Sequence, residues 1–240
     1  MKVILIHMMK MITRIKNKLR YKIKEYLFCE LLDNKESILK RCALIEKLSI
    51  QFEFLPETKY IFLKDRIIYK QKYIEKVRTD KLTKLELEFH IKEFAENLDK
   101  LIDTNFIHGD INISNVIFDG LRFNLIDFEP AFYQIKNEKI ILKSGVNIRS
   151  TNDRLSKKIT TETDKIGFYF FIKKAFFDLN KSYNKFQYID SYLLHNEQSI
   201  LSKSYIEISK YFFKFLILLC VRITPHQIVY KGFSTSFQLS

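Results

Sequence analysis

Three side chains in one short stretch have the types and spacing that chemistry at a phosphate would need. In Phe106-Ile-His-Gly-Asp-Ile-Asn-Ile-Ser-Asn-Val-Ile-Phe-Asp-Gly-Leu-Arg-Phe-Asn-Leu-Ile-Asp-Phe-Glu129, the triplet His108-Gly-Asp110 is followed by Asn115 and, beyond a turn, by Asp127. A carboxylate at Asp110 can accept a hydrogen bond from an attacking hydroxyl and take its proton. The amide oxygen of Asn115 and the carboxylate of Asp127 are hard ligands suited to Mg²⁺, which would bridge the phosphates of a nucleoside triphosphate. His108 is expected to support the loop by hydrogen bonding and not to transfer protons. Each residue alone is commonplace, since an Asp or Asn in a loop is usually a turn or cap residue. The combination is far more specific: H-x-D, Asn at +5, a Gly-containing turn, then Asp-Phe.

Such residues need elements to hold them. Val116–Phe118 and 122–126 read as short strands joined by Asp119-Gly120, a two-residue hairpin signal that would fold Asp127 back beside Asn115. Upstream, the apolar positions of 81–104 predict a helix with a broad apolar face that runs into the central stretch. Ahead of it lie two strands, 59–63 and 66–74, with a Lys64-Asp65 turn. A helix over 35–48 is opened by Asp33-Asn34 as N-cap. Leu19, Ile23, Tyr26, Leu27 and Leu31 give 17–32 a helix-like spacing, and 3–6 and 11–15 read as short strands. Residues 130–163 look irregular, 163–177 reads as a strongly apolar helix, and 183–222 as further helix including 205–221. From Thr224 the chain looks like a tail. The expected order is a small mixed lobe, a long helix, a hairpin carrying the chemistry, and a helical lobe, with the boundary near 72–80.

Composition fits a globular chain: 47% of the 240 residues are hydrophobic, and only 5 Gly and 3 Pro favour long regular elements. The formal net charge of +13 attracts anions such as nucleotides, phosphorylated glycans or lipid headgroups. No zinc-finger spacing or RNA-recognition signature accompanies the charge, so a specific nucleic-acid partner is not expected. Three widely separated cysteines, Cys29, Cys42 and Cys220, fit buried thiols in a reducing compartment. The first ten residues are too short in apolar run for a signal peptide. The apolar run 215–221 falls far short of the roughly 20 residues that span a bilayer. The expected location is cytoplasmic, with the basic surface able to contact the inner membrane peripherally.

The H-x-D-x-x-x-x-N and D-F pattern, in this order of elements, resembles the protein-kinase-like fold. Within it the chain resembles the bacterial lipopolysaccharide core heptose kinases and Kdo kinases, specifically over 106–129 and diffusely over roughly 3–177. Gly109 and Asn112 stand where protein kinases carry Arg and Lys, and Glu129 where they carry the Gly of D-F-G; these departures resemble glycan and small-molecule kinases. The resemblance implies an α+β, bilobal architecture with a small β-rich N-lobe (1–76) holding one main helix and a mostly helical C-lobe (77–240). It implies ATP as donor, Mg²⁺, and a hydroxyl of a core sugar or small molecule as acceptor. By position, Lys16 resembles the lysine that binds the ATP phosphates and Glu36 its carboxylate partner; Lys22 and Lys24 compete for the first role and Glu46 for the second. Asp164 resembles the acid that holds the catalytic-loop backbone, and it also suits a helix N-terminus. No Gly precedes position 109, so a G-x-G-x-x-G phosphate loop is absent. The competing functions are a bacterial protein Ser/Thr kinase, a pseudokinase acting as a binding module, and a nucleic-acid binder motivated by charge alone.

Overall fold

The computed structural model describes residues 20–136, 139–142, 159–180 and 199–222. The strands expected at 3–6 and 11–15, Lys16, much of the segment after 142, the helix expected before 199 and the tail lie outside them. The chain is mixed α+β, with a small antiparallel sheet followed by helices and two short hairpins.

The sheet is built from β1 (Tyr21–Leu27), β2 (Thr58–Phe62) and β3 (Arg66–Lys72), in the order β1-β3-β2. The helix expected over 17–32 is instead strand β1 and a 3-10 turn, Phe28–Glu30. Alternation is what the strand obeys. Lys22, Lys24 and Tyr26 share one face, with Tyr26 buried, while Tyr21, Ile23 and Glu25 face outward and Ile23 is 62% exposed. Lysines on the inward face and an isoleucine on the outward one invert the usual polarity, which hides the period of two from a hydrophobicity count. β2 and β3 close through Leu63 N–H donating to the Arg66 carbonyl at 2.8 Å, which places Lys64-Asp65 at the turn as expected.

Helix α1 (Lys35–Gln51) connects β1 to β2. Its N-cap is Asn34, whose side chain accepts from Ser37 N–H at 2.8 Å. Ile38, Cys42, Ile45 and Leu48 form its buried stripe. Of the two cysteines with described side chains, Cys42 is buried and its thiol pushed up to about 12 by burial, but Cys29 is exposed, against the expectation that all thiols are buried.

Helix α2 (Lys84–Ile102) begins in a capping box. Thr83 Oγ1 accepts from Glu86 N–H at 3.2 Å, and the Glu86 carboxylate accepts from Thr83 N–H at 2.7 Å. Thr83→Ala is expected to lower the unfolding free energy by about 1 kcal/mol. Urea unfolding should display this as a lower midpoint with an unchanged slope. Helices α3 (Thr161–Asn180) and α4 (Tyr205–Arg222) pack on α2, and Asp99 of α2 caps α4 by accepting from Tyr205 and Ile206 N–H at 2.7 and 3.0 Å. Phe94 joins the layers, with its ring 5.8–6.1 Å from those of Phe54, Phe123, Phe168 and Phe171.

Two hairpins complete the described chain. β4 (Val116–Phe118) pairs with β5 (Phe123–Leu125), and Asp119 N–H donates to the Arg122 carbonyl at 3.2 Å. The central turn residues are therefore Gly120-Leu121, one position later than expected, with Gly120 at φ +97° and the Asp119 carboxylate accepting from Leu121 and Arg122 N–H. β6 (Tyr133–Lys136) and β7 (Lys139–Leu142) form a hairpin where irregular chain was expected. Among the described residues, no helix is long and apolar enough to cross a membrane.

Candidate active site

The segment between α2 and β4 is held from below by one carboxylate. Asp164, in the first turn of α3, accepts from the backbone N–H of both His108 and Gly109 at 2.7 Å. Burial pushes its carboxyl up to about 7, against the pull of those two N–H groups and of Arg41. Gly109 lies at φ +86°, and a Cβ there would come within 2.6 Å of the Phe132 ring, so both backbone and space demand glycine.

His108 does what its buried position suits. Its Nε2 lies 2.9 Å from the Ile126 carbonyl, which can only accept, so Nε2 carries the proton and Nδ1 accepts from Asp110 N–H at 3.2 Å. Burial lowers its pKa to about 4. The unfolded chain takes up this proton near pH 6.5. His108 therefore removes stability as pH falls from about 6.5 to 4, and Asp164 acts with the opposite sign over an overlapping range. The isolating measurement is NMR: the His108 ring is expected to stay neutral from pH 8 down to about pH 5. Titration near 6.5 would mean the ring reaches water and does not brace the loop.

Asp110 is 4% exposed, and Asn115 Nδ2 donates to its Oδ2 at 2.9 Å and to its carbonyl at 3.0 Å. Asn112 is a turn residue, its Oδ1 accepting from Ser114 and Asn115 N–H and its Nδ2 donating back to the Asp110 carbonyl. Ile126 N–H donates to the Asn115 carbonyl at 2.9 Å, which brings Asp127 alongside Asn115 as the hairpin implied.

Asp127 sits at φ +71° and is clasped by the sheet. Lys24 Nζ contacts its Oδ1, Lys22 Nζ lies 3.3 Å from Oδ2, and the buried Gln71 amide oxygen accepts its N–H at 3.3 Å. Burial alone would raise the Asp127 carboxyl; Lys24 and Lys22 outweigh it and hold the group below the usual carboxylate range. Burial likewise opposes the charge on Lys24, but Glu129 and Asp127 raise its pKa overall, with Glu129 Oε1 at 3.1 Å. The Tyr60 hydroxyl donates to the Phe128 carbonyl at 2.9 Å, and the Phe128 ring packs edge-on between Phe106 and His108.

The structure thus gathers Asp110, Asn115, His108, Asp164, Asp127, Lys22 and Lys24. Glu36 is not brought in: its side chain is 76% exposed and pairs with Lys40. Glu46 is also elsewhere, accepting from Tyr60 N–H. Lys24 takes its carboxylate contacts from Asp127 and Glu129 and none from α1. Glu129, Arg41 and Gln71 were not expected here. Asp-Phe-Glu carries a signal for the first, a second carboxylate two residues after Asp127, and Lys24 reaches both. Arg41 also leaves a mark, as a charged residue set between Ile38 and Ile45 at helical spacing.

Among the described residues, no three His, Cys, Asp or Glu side chains form a metal cluster. The donor set nonetheless suits Mg²⁺, which keeps several waters and needs only one or two protein oxygens. Asn115 commits its Nδ2 to Asp110, leaving Oδ1 to offer, and Asp127 already attracts two ammonium groups. No family model and no curated protein matches this chain.

Proposed function

We propose that this chain is a bilobal, kinase-like phosphotransferase that moves the γ-phosphate of ATP to a hydroxyl of a sugar or small molecule. The observation that carries it is the pairing of Asp110 with Asn115 next to Asp127, joined through the Ile126 N–H bond to the Asn115 carbonyl, with Lys24 reaching Asp127 from the facing sheet. A lysine-bearing strand leading into α1, and a loop and hairpin supplying the base and hard oxygens, are the parts phosphoryl transfer uses. The lobe boundary is assigned to the connection after β3, giving 1–76 and 77–240.

In this reading Asp110 accepts the acceptor hydroxyl's hydrogen bond and takes its proton. Asn115 and Asp127 hold magnesium, which when bound neutralises phosphate charge. Lys24, with Lys22 beside it, leaves Asp127 for the phosphates, and Glu129 keeps it oriented. Asn112, used up in a turn, offers no cation to the transferring group, which supports a glycan or small-molecule acceptor over a protein one. A core heptose or Kdo of lipopolysaccharide is the acceptor the family resemblance selects.

The second reading is a pseudokinase that binds nucleotide without turnover, favoured by the absence of Gly ahead of position 109. Purified protein with labelled ATP, Mg²⁺ and dephosphorylated lipopolysaccharide or a protein mixture separates the two. Transfer to the glycan, lost in Asp110→Ala and Asp127→Ala, is expected. Transfer surviving both substitutions overturns the site, label on protein alone overturns the acceptor class, and nucleotide binding without transfer selects the pseudokinase.

A further inference from the structure

We propose that Arg41 is a positioning residue that sets the spacing between the base loop and the metal-binding segment and, through Glu129, aims Lys24. The inference rests on the phosphotransfer reading. Arg41 Nε donates to the Glu129 carbonyl at 2.8 Å and Nη1 to the Ile107 carbonyl at 3.0 Å. The guanidinium lies 4.1 Å from the Phe132 ring centroid and 5.5 Å from that of Phe106. Ile107 is three residues before Asp110, and Glu129 is two after Asp127. One planar cation therefore spans the two segments that carry the chemistry.

The placement is costly unless it serves something. Burial works against the guanidinium, lowering its pKa, and a charge removed from water is tolerated only when hydrogen-bonded. Arg41 occupies the apolar stripe of α1, where Ile38, Cys42, Ile45 and Leu48 are buried. A leucine would pack there more simply. The other charged groups of α1 that could reach the lysine do not: Glu36 pairs with Lys40, and Glu46 accepts from Tyr60 N–H. Among the described residues, α1 thus acts on Lys24 through a relay, from Arg41 to the Glu129 main chain and from the Glu129 carboxylate to the ammonium. Displacing Glu129 turns Lys24 toward Asp127 alone, and both the phosphate contact and the metal oxygen suffer. Lysine cannot replace the arginine, because a point-like ammonium does not bridge two carbonyls while stacking flat on a ring.

The test uses the full chain with Arg41→Met, Arg41→Lys and Glu129→Gln, singly and with each Arg41 variant combined with Glu129→Gln. MgATP affinity is read by calorimetry, steady-state turnover by ADP formation with dephosphorylated lipopolysaccharide as acceptor, and thermal midpoints by circular dichroism. Folded Arg41→Met is expected to bind MgATP about 10-fold more weakly and to lose about 10-fold in kcat. Arg41→Lys should recover much of the melting temperature without recovering either constant. Each double variant should be no worse than its poorer single one, as expected for two members of one relay. Wild-type constants in folded Arg41→Lys, or additive losses in either double variant, would make Arg41 a brace with no positioning role. If Arg41→Met does not fold, Arg41→Lys and its pairing with Glu129→Gln decide alone. Wild-type protein that neither binds nor turns over MgATP removes the phosphotransfer reading itself, an outcome distinct from a wild-type enzyme indifferent to Arg41.

Discussion

Asp127→Asn is expected to reduce phosphate transfer by about 10³-fold while leaving the fold intact. The choice of Asn matters because Asp127 sits at φ +71°, and Asn is among the few residues that hold a left-handed conformation at little cost. Asp127→Ala would mix the loss of charge with backbone strain. The lost ion pairs should matter little to stability. The Lys22 and Lys24 side chains are 40% and 29% exposed, and such partly solvated pairs are worth about 0–1 kcal/mol each. Lys24 also retains Glu129. The sign with pH follows from the lowered Asp127 carboxyl. Its contribution is present above the unfolded value near 3.9 and is lost as pH falls through the lower folded value. In Asp127→Asn that acid-side loss should shrink, while the unfolding free energy read from urea at neutral pH stays within about 2 kcal/mol of wild type. An Asn variant that still transfers phosphate would remove Asp127 from the metal site.

The pattern of what the sequence discloses has a physical cause. The base loop and hairpin are local: His108, Asp110, Asn115 and Asp127 fall within twenty residues, and a Gly turn reverses the chain between them, so spacing alone predicts their meeting. Helices α1 and α2 bury continuous stripes and carry their caps in the sequence, so their period is plain. Strand β1 is different. Its inward lysines face Asp127 and Glu129, residues more than a hundred positions away, and nothing local announces that two ammonium groups belong inside. The same long-range pairing decided the lysine's partner. A carboxylate in the first turn of α1 is the local candidate, yet Glu36 is exposed and pairs with Lys40, while Lys24 meets Glu129. Gln71 was hidden for the corresponding reason, and the partners of Arg41 with it, since both side chains bond main-chain groups, which every residue possesses.

Gly167→Ala is expected to damage both stability and activity, and the reason lies in how α3 meets the base loop. A Cβ at Gly167 would stand 2.5 Å from the Ile111 carbonyl oxygen and 3.4 Å from the Ile111 carbonyl carbon. The closest contact is backbone, so no side-chain rotation relieves it. Three residues earlier, on the same face of α3, Asp164 grips His108 and Gly109 N–H. The helix therefore holds the loop with Asp164 and lets it approach at Gly167. An alanine forces either those hydrogen bonds to lengthen or Ile111 to move, and Ile111 follows Asp110 directly. Overpacking of this kind costs about 1–3 kcal/mol, and helix propensity returns up to about 1 kcal/mol because Ala suits a helix better than Gly. A net fall of up to about 8 °C in melting temperature should remain. Displacement of Asp110 should lower kcat/KM by about 10²-fold, a larger loss than the stability change accounts for. Gly120→Ala supplies the control. Its φ of +97° imposes strain, but the nearest atom to its Cβ is Val77 Cγ2 at 3.5 Å, at the hairpin turn and away from the base loop. It should cost about 1–2 kcal/mol with kcat/KM unchanged at temperatures where it stays folded. Equal activity losses in both variants would point to general destabilisation. Loss in Gly167→Ala alone would place the control of Asp110 at the contact between α3 and Ile111.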